Sequence, residues 1–238
     1  SWKEIDFSKY ECKVRKLQIR IAKTQKKKRY NKVRSLQHLL VTSYEAKTLA
    51  VKKVTSNKGK RTAEIDHILW DTDAKKVNAV CSLKRRGYRA LSLKRINIAK
   101  KNGKMRPLGI PTMRDRAMQA LYLMALKPVT EATADANSHG FRKFRSTADA
   151  IDALHRWLSR DYSPQWILEG DIKGCSDHIS HEWLLDNVRI DKHILGKWLK
   201  SRVVFNTLLQ PIVKGTPQGG IISPTLANAA LDGMERRH

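Results

Sequence analysis

Trp166-Ile-Leu-Glu-Gly-Asp-Ile-Lys-Gly-Cys-Ser-Asp-His-Ile-Ser180 is the stretch on which the reading of this chain turns. The apolar run Trp166 to Leu168, bounded by turn residues, predicts a short strand. That strand would deliver Asp171 to its end, where Gly170 and Gly174 let the backbone come close to a ligand. A second carboxylate, Asp177, follows on a turn before a helix expected to begin near Ser180. A carboxylate at a strand end suits Mg²⁺, which is commonly held by one or two carboxylates together with substrate phosphates. The plainer alternative is a helix-capping Asp beside a strand. Context decides between them.

The context begins with charge. Forty-eight basic residues against twenty-two acidic ones leave 238 residues with a net charge of +26 and a pI near 10.3. Such an excess points to a polyanionic partner, because each neutralised phosphate releases counterions and adds salt-sensitive affinity. Nucleic acid fits best; a membrane surface is the other polyanion. No stretch is apolar enough to span a bilayer, and the N-terminus lacks the apolar core of a signal peptide. Cys12, Cys81 and Cys175 are odd in number and far apart, so they frame neither disulfides nor a zinc site. They fit a reducing, cytoplasmic compartment.

Downstream, Gly215-Thr-Pro-Gln-Gly-Gly220 is a backbone-permissive loop leading to Ser223-Pro224 at a helix start, after a plausible strand at Gln210 to Val213. It suits a phosphate or base pair near the backbone, and it lacks the Gly-Lys-Ser/Thr ending of a Walker loop. Upstream, Leu93 to Ala99 and Met105 to Ile110 flank Lys101-Asn-Gly-Lys104, the clearest hairpin signal in the chain. Lys94, Arg95, Lys100, Lys104 and Arg106 make it basic, which suits a triphosphate or nucleic-acid backbone, or simply protects an edge strand. A helix is expected over Asp115 to Leu126, stopped by Pro128, and another over Thr147 to Leu158. Asn137-Ser-His-Gly-Phe-Arg142 is a loop whose Arg142, with Lys143 and Arg145, forms a compact basic cluster. Helices are also expected at 181–188 and 193–203.

At the N-terminus, Ser8 and Glu11 stand at capping-box spacing, with Phe7 and Cys12 placed as a hydrophobic staple. Val14, Leu17 and Ile21 define a buried stripe. Lys13, Lys16, Arg20, Lys23 and Lys27 stack along one side of the same helix. Five like charges so arranged read either as a solvated face or as one that tracks phosphates. A second helix is expected with Val33, Leu36, Leu40 and Tyr44 on one side, then a polar loop over Lys52 to Arg61 and a helix over Thr72 to Arg86. His178 and His181 lack a third metal ligand. Trp157, Trp183 and Trp198 read as core residues.

Four motifs, Gly103 to Thr112, Asn137 to Arg142, Asp171-Ile-Lys-Gly-Cys175 and Gly215 to Pro224, occur in an order that resembles the early blocks of bacterial group II intron-encoded reverse transcriptase/maturases. Val14 to Gln18, Leu36 to Leu40 and Leu49 to Thr55 resemble that family's N-terminal extension, so the likeness covers essentially the whole chain. The resemblance implies an α+β fold: helix-rich right-hand polymerase fingers and a partial palm, with a basic β-hairpin and a small antiparallel palm sheet. It implies a helical RNA-binding extension over 1–75, fingers over 76–165 with the hairpin at 93–110, and partial palm over 166–238. Asp171 would be the catalytic residue and, with the backbone of Ile172, would hold Mg²⁺. Lys100, Arg106, Ile172, Gly174, Cys175, Ser176 and Gln218 would contact the incoming deoxynucleoside triphosphate. Lys13, Lys16, Arg20, Lys23, Lys27, Arg142 and Arg145 would contact RNA.

The implied activity is RNA-directed DNA synthesis from an RNA template with a DNA primer, joined to binding of group II intron RNA for splicing and retrohoming. Two departures bear on it. The family's palm continues into a Tyr-Ala-Asp-Asp hairpin with the remaining catalytic carboxylates, which this chain does not reach before His238; Asp232 and Glu235 do not match it. These 238 residues alone are therefore expected not to polymerise, since two-metal catalysis needs ions held about 4 Å apart. Ser176 stands where the family carries a bulky aromatic against the ribose 2′-hydroxyl, which predicts weaker rejection of ribonucleotides or a lineage kept for splicing. A non-catalytic intron-RNA-binding splicing cofactor is the alternative, and a basic architectural binder would explain the charge but not the motif order. Helices with basic faces and apolar backs allow a homodimer.

Overall fold

The computed structural model describes residues 2–57, 59, 64–99, 103, 105–205, 208–210, 215–216 and 219–234. Three helices open the chain: α1 (Phe7–Lys26), α2 (Tyr30–Thr42) and α3 (Tyr44–Ser56). Then come α4 (Asp73–Ser82), the hairpin of β1 (Leu93–Ala99) and β2 (Met105–Ile110), and the long α5 (Met113–Thr133). The last part carries α6 (Thr147–Leu158), short α7 (Cys175–His178) and α8 (His181–Asn187), α9 (Lys192–Leu199), β3 (Val203–Phe205), β4 (Leu208–Gln210) and α10 (Ser223–Leu231).

The core is built around α5, whose Met113, Met118, Leu121 and Leu126 are fully buried beneath α1 and α3. The apolar stripe of α1, Val14 and Ile21, faces this core, as its helical spacing requires. Pro128 does not stop α5, which runs five residues past it. Proline lacks the N–H that would reach the carbonyl four residues back. That carbonyl, on Met124, instead accepts a hydrogen bond from Gln18 Nε2 of α1 at 2.8 Å, and Ala125 O accepts from Gln37 Nε2 of α2 at 3.1 Å. The Gln18 side chain thus does what the proline cannot, and Gln37 adds a second tie one residue on.

Other boundaries move for local reasons. Asp6, rather than Ser8, caps α1: its carboxylate accepts from Lys9 N and from the Ser8 hydroxyl. A charged acceptor at a helix N-terminus also meets the favourable end of the dipole. Phe7 packs edge-on against Trp2 with Lys52 over its ring, while Cys12 is exposed, so no staple forms between Phe7 and Cys12. Ser43 ends α2 and caps α3 through Ala46 N, which places Tyr44 on the next helix and keeps Lys52 to Ser56 helical. Thr72 caps α4, which ends at Ser82.

The sheet runs β2-β1-β3-β4. The two strands of the hairpin pair as expected, with Lys94 opposite Ile110 and Ala99 opposite Met105. That is one residue out of the register of a two-residue Asn102-Gly103 turn, which would set Ala99 opposite Arg106. Because β3 lies parallel to β1 and antiparallel to β4, the sheet is mixed rather than purely antiparallel. Gln210 ends β4; 211–214 lie outside the described residues. The strand expected at Trp166 to Leu168 is absent: these residues have no regular structure, and Trp166 and Leu168 are 93% and 98% exposed. A lone strand leaves its backbone groups unpaired, and the described residues offer it no partner. α6 forms where expected, with a Ser146–Asp149 capping box, yet buries no residue; Ile151, Leu154 and Trp157 are all exposed. Of the three tryptophans expected in the core only Trp198 is buried; Trp183 is 40% exposed.

Candidate functional site

Three of the four sequence motifs meet at one place. The turn over 174–177 starts at Gly174 in the left-handed region (φ 61°), and Cys175 to His178 form the single turn α7. The Gly215 loop lies directly on it: Thr216 N donates to Ser176 O at 2.7 Å, and Gly215 N donates to Ile179 O at 2.9 Å. His181 Nε2 bonds Gly215 O at 2.6 Å, fixing the loop from the start of α8. A Cβ on Gly215 (φ 82°) would fall 2.5 Å from Ser176 O, so glycine is required there both by conformation and by contact. At the loop's far end a Cβ on Gly219 (φ 120°) would fall 2.9 Å from Gly109 O of β2. The loop is therefore wedged between the Asp171 turn and the basic hairpin. Nearby α5 supplies Gln119, whose Oε1 is buried with no partner among the described residues. His181 does not stand out in the sequence as a support for this loop, because it sits inside an ordinary helical pattern.

Asp171 itself is exposed on the coil that leads into this turn, with Ile172 half-exposed beside it. Ile172 O already accepts from Cys175 N at 3.2 Å, leaving one lone pair. An exposed carboxylate and a carbonyl are oxygen donors of the kind a hard divalent cation takes. They fit one corner of such a site, and no group of three acidic, His or Cys residues able to hold a metal occurs among the described residues. Gln218 and Lys100 lie outside the described residues, as does the side chain of Arg106. On the described part of the hairpin, Arg95 donates to Gln210 Oε1 at 2.9 Å and lies over the Phe205 ring, tying β1 to the far side of the sheet.

The expected RNA-contacting cations divide in two. On α1, Lys16, Arg20, Lys23 and Lys27 are exposed without an ion pair among the described residues, whereas Lys13 pairs with Glu45 of α3 at 2.7 Å. Arg142 is turned inward, with 8% of its side chain exposed: it binds Glu131 through two nitrogens at 2.8 and 3.0 Å and the carbonyls of Asp135 and Ser138. Arg145 reaches the carbonyls of Ala136 and Ser138. These bonds let the two arginines hold the loop's shape, Arg145 through Nη1 alone. Asn228 of α10 donates to Gly140 O at 2.7 Å, tying the same loop to the helix after the Gly215 motif.

Beneath the hairpin is a buried polar network. Asp115, in the first turn of α5, accepts from Tyr88 Oη at 2.5 Å, Thr112 Oγ1 at 2.9 Å and Leu91 N at 3.1 Å. Trp198 Nε1 of α9 donates to Tyr88 Oη at 2.8 Å. Burial pushes the Asp115 carboxyl up despite these donors, and burial beside Asp115 pushes the Tyr88 phenol up as well. The network locks the segment entering β1 onto α5 and α9.

A loop of glycines thus lies between an acidic turn and a basic hairpin, on a mixed sheet backed by helices. Residues 98–238 match the reverse transcriptase (RNA-dependent DNA polymerase) family and residues 2–83 match the N-terminal domain of reverse transcriptase. The chain belongs to the reverse transcriptase family. It is 37% identical over 200 residues to the group II intron-encoded protein LtrA of Lactococcus lactis subsp. cremoris, covering 79% of this chain and 32% of that protein. Protein YkfC of Escherichia coli is 36% identical over 157 residues, covering 63% and 41%, and the putative COX1/OXI3 intron 1 protein of Saccharomyces cerevisiae is 32% identical over 147 residues, covering 58% and 17%. The chain thus spans about a third of LtrA. A solved partial Cas6-RT-Cas1–Cas2 complex shares the fold, with a TM-score of 0.51 at 20% identity over 85% of this chain and 34% of that one.

Proposed function

We propose that this chain is the template- and nucleotide-gripping portion of a group II intron reverse transcriptase and maturase, which copies RNA into DNA and binds its intron RNA to assist splicing and retrohoming. The observation that carries the reading is the backbone-bonded wedge of the Gly215 loop between Ser176 and Gly109. It brings the three motifs that would handle a nucleotide to one surface. Residues 1–75 form the RNA-binding extension, 76–165 the fingers and 166–238 the partial palm.

In this reading Asp171 and the Ile172 carbonyl would hold a divalent cation, Mg²⁺, which when bound would supply Lewis-acid assistance to phosphoryl transfer. The turn over Gly174, Cys175 and Ser176 presents its backbone to the sugar of a deoxynucleoside triphosphate, Ser176 leaving room at the 2′ position. Lys100 and Arg106 steady the triphosphate and Gln218 borders the nascent base pair. Lys16, Arg20, Lys23 and Lys27 grip intron RNA.

Affinity for a structured group II intron RNA and for a length-matched plain duplex, each at two salt concentrations, tests the maturase half. Tighter and less salt-sensitive binding to the intron RNA is expected; equal affinities and slopes would remove recognition from this chain. Manganese-induced broadening of amide signals tests the other half. Broadening centred on 171–177 that disappears in Asp171→Asn is expected, and uniform or absent broadening there would leave the splicing-cofactor reading.

A further inference from the structure

We propose that the groove between α9 and the segment 89–92 is a second phosphodiester-binding track, distinct from the α1 face, that holds an RNA strand by its backbone. The proposal rests on the nucleic-acid reading above but not on intron specificity. The groove encloses about 740 Å³, and its lining contains Arg89, Lys192, Lys197, Lys200 and Arg202 and not one carboxylate. An acid-free concavity of five cations focuses positive potential, because field lines concentrate in a cleft with low-dielectric walls.

The cations are placed by the helix itself. Ile194, Leu195, Trp198 and Leu199 turn into the core, which leaves positions 192, 193, 196, 197 and 200 on the outward face at three- and four-residue steps. Lys197 and Lys200 stand at the C-terminal end of α9, where the helix dipole favours cations, so the helix gathers positive charge at this end of the groove. Arg89, Lys200 and Arg202 are exposed, and none has an ion pair among the described residues. Lys192 pairs with Asp186 at 3.1 Å, so its charge is partly offset.

Gly196 is the independent observation. It sits in the middle of α9, where glycine is the poorest non-proline helix former. Nothing inside the fold demands it: a Cβ there would meet only Leu185 at 3.7 Å, an ordinary contact, and its φ needs no glycine. What glycine provides is an open floor between Lys192, Lys197 and Lys200, where a sugar-phosphate chain can approach the helix. The walls are also fixed in advance. Lys197 Nζ bonds Tyr88 O, Trp198 Nε1 bonds Tyr88 Oη, and Leu93 N donates to Arg202 O at 2.7 Å. Binding therefore needs no ordering of the walls' backbone, and the ordering cost falls on the side chains of Arg89, Lys200 and Arg202.

The test is a salt titration of RNA affinity by fluorescence anisotropy, using the full chain with a single-stranded RNA and with an RNA duplex. Arg89→Gln, Lys200→Gln and Arg202→Gln combined should weaken binding of at least one of the two about tenfold and lower the salt slope by about two to three, close to one for each phosphate no longer neutralised. Gly196→Gln should weaken the same RNA without removing any charge, while thermal unfolding shows the fold intact. Neutralising three exposed cations off both surfaces, Lys32, Arg34 and Lys75, serves as the control and should leave affinity within twofold. Unchanged affinity and slope in the groove triple variant, or an equal loss in the control, would overturn the proposal. If the groove variants lose affinity for every RNA alike while no intron preference exists, the track stands and the maturase reading falls.

Discussion

Single residues fix the geometry here more than whole elements do. Gly215 is the sharpest case, because a side chain would have to enter a left-handed conformation and overlap Ser176 O at 2.5 Å at once. Gly215→Ala should therefore cost about 2 kcal/mol or more, the left-handed backbone alone accounting for about 1 to 2. Its signature is faster amide exchange at Thr216, whose N–H holds Ser176 O; a variant with unchanged exchange there would separate the loop from the turn. Asp115 makes a pH-dependent prediction. Burial raises its folded pKa above the usual carboxylate value of 3.8, so its favourable contribution is complete below that pH and is lost as pH rises through the folded pKa. Compared with Asp115→Asn, which does not titrate, the native chain should lose stability in urea unfolding as pH rises from 4 toward 7. A relative gain over that range would mean that the Tyr88, Thr112 and Leu91 donors outweigh burial. Neither residue's role was legible in the sequence, since both depend on partners that only folding supplies.

At the scale of elements, the joint between α1, α2 and α5 is a swap of hydrogen-bond partners. Pro128 denies Met124 O its helical donor and Gln18 replaces it. Gln18→Ala leaves a partly buried carbonyl unsatisfied and should cost about 1 to 2 kcal/mol. In a Pro128→Ala background the helix regains its own N–H, so the same Gln18→Ala change should cost about 0.5 kcal/mol or less, a coupling readable from a double-mutant cycle. Equal costs in the two backgrounds would mean that Gln18 acts through packing alone. The sequence was informative where a signal is local. The Asn-Gly signal located the hairpin of β1 and β2, though not its register, and helical periodicity placed α1, α5 and α6. It misled at Pro128, because a proline ends a helix only if no neighbour serves the orphaned carbonyl. At Trp166 to Leu168 it misled again, because an apolar run becomes a strand only beside another.

Across the whole molecule, buried area is distributed unevenly. Helices α1, α2, α3, α5, α8 and α9 share one core, while α6 and the coil that follows it, through Asp171, have no buried side chain. A helix of 12 residues without tertiary burial is marginal in water, because propagation barely offsets nucleation. The Ser146–Asp149 capping box contributes about 1 kcal/mol, far less than a buried apolar face would. Stability must therefore differ between these regions, although both belong to one chain. Native-state hydrogen exchange should show the amides of Ala120 to Leu126 in α5 exchanging only through global unfolding. Those of Ile151 to Leu158 should exchange orders of magnitude faster and with little dependence on denaturant. Adding a group II intron RNA that grips only α1 would leave that contrast unchanged. Slowing of α6 amides on RNA binding would instead show that the exposed face of Ile151, Leu154 and Trp157 is covered in the complex, and would place the acidic turn that follows it against the same partner.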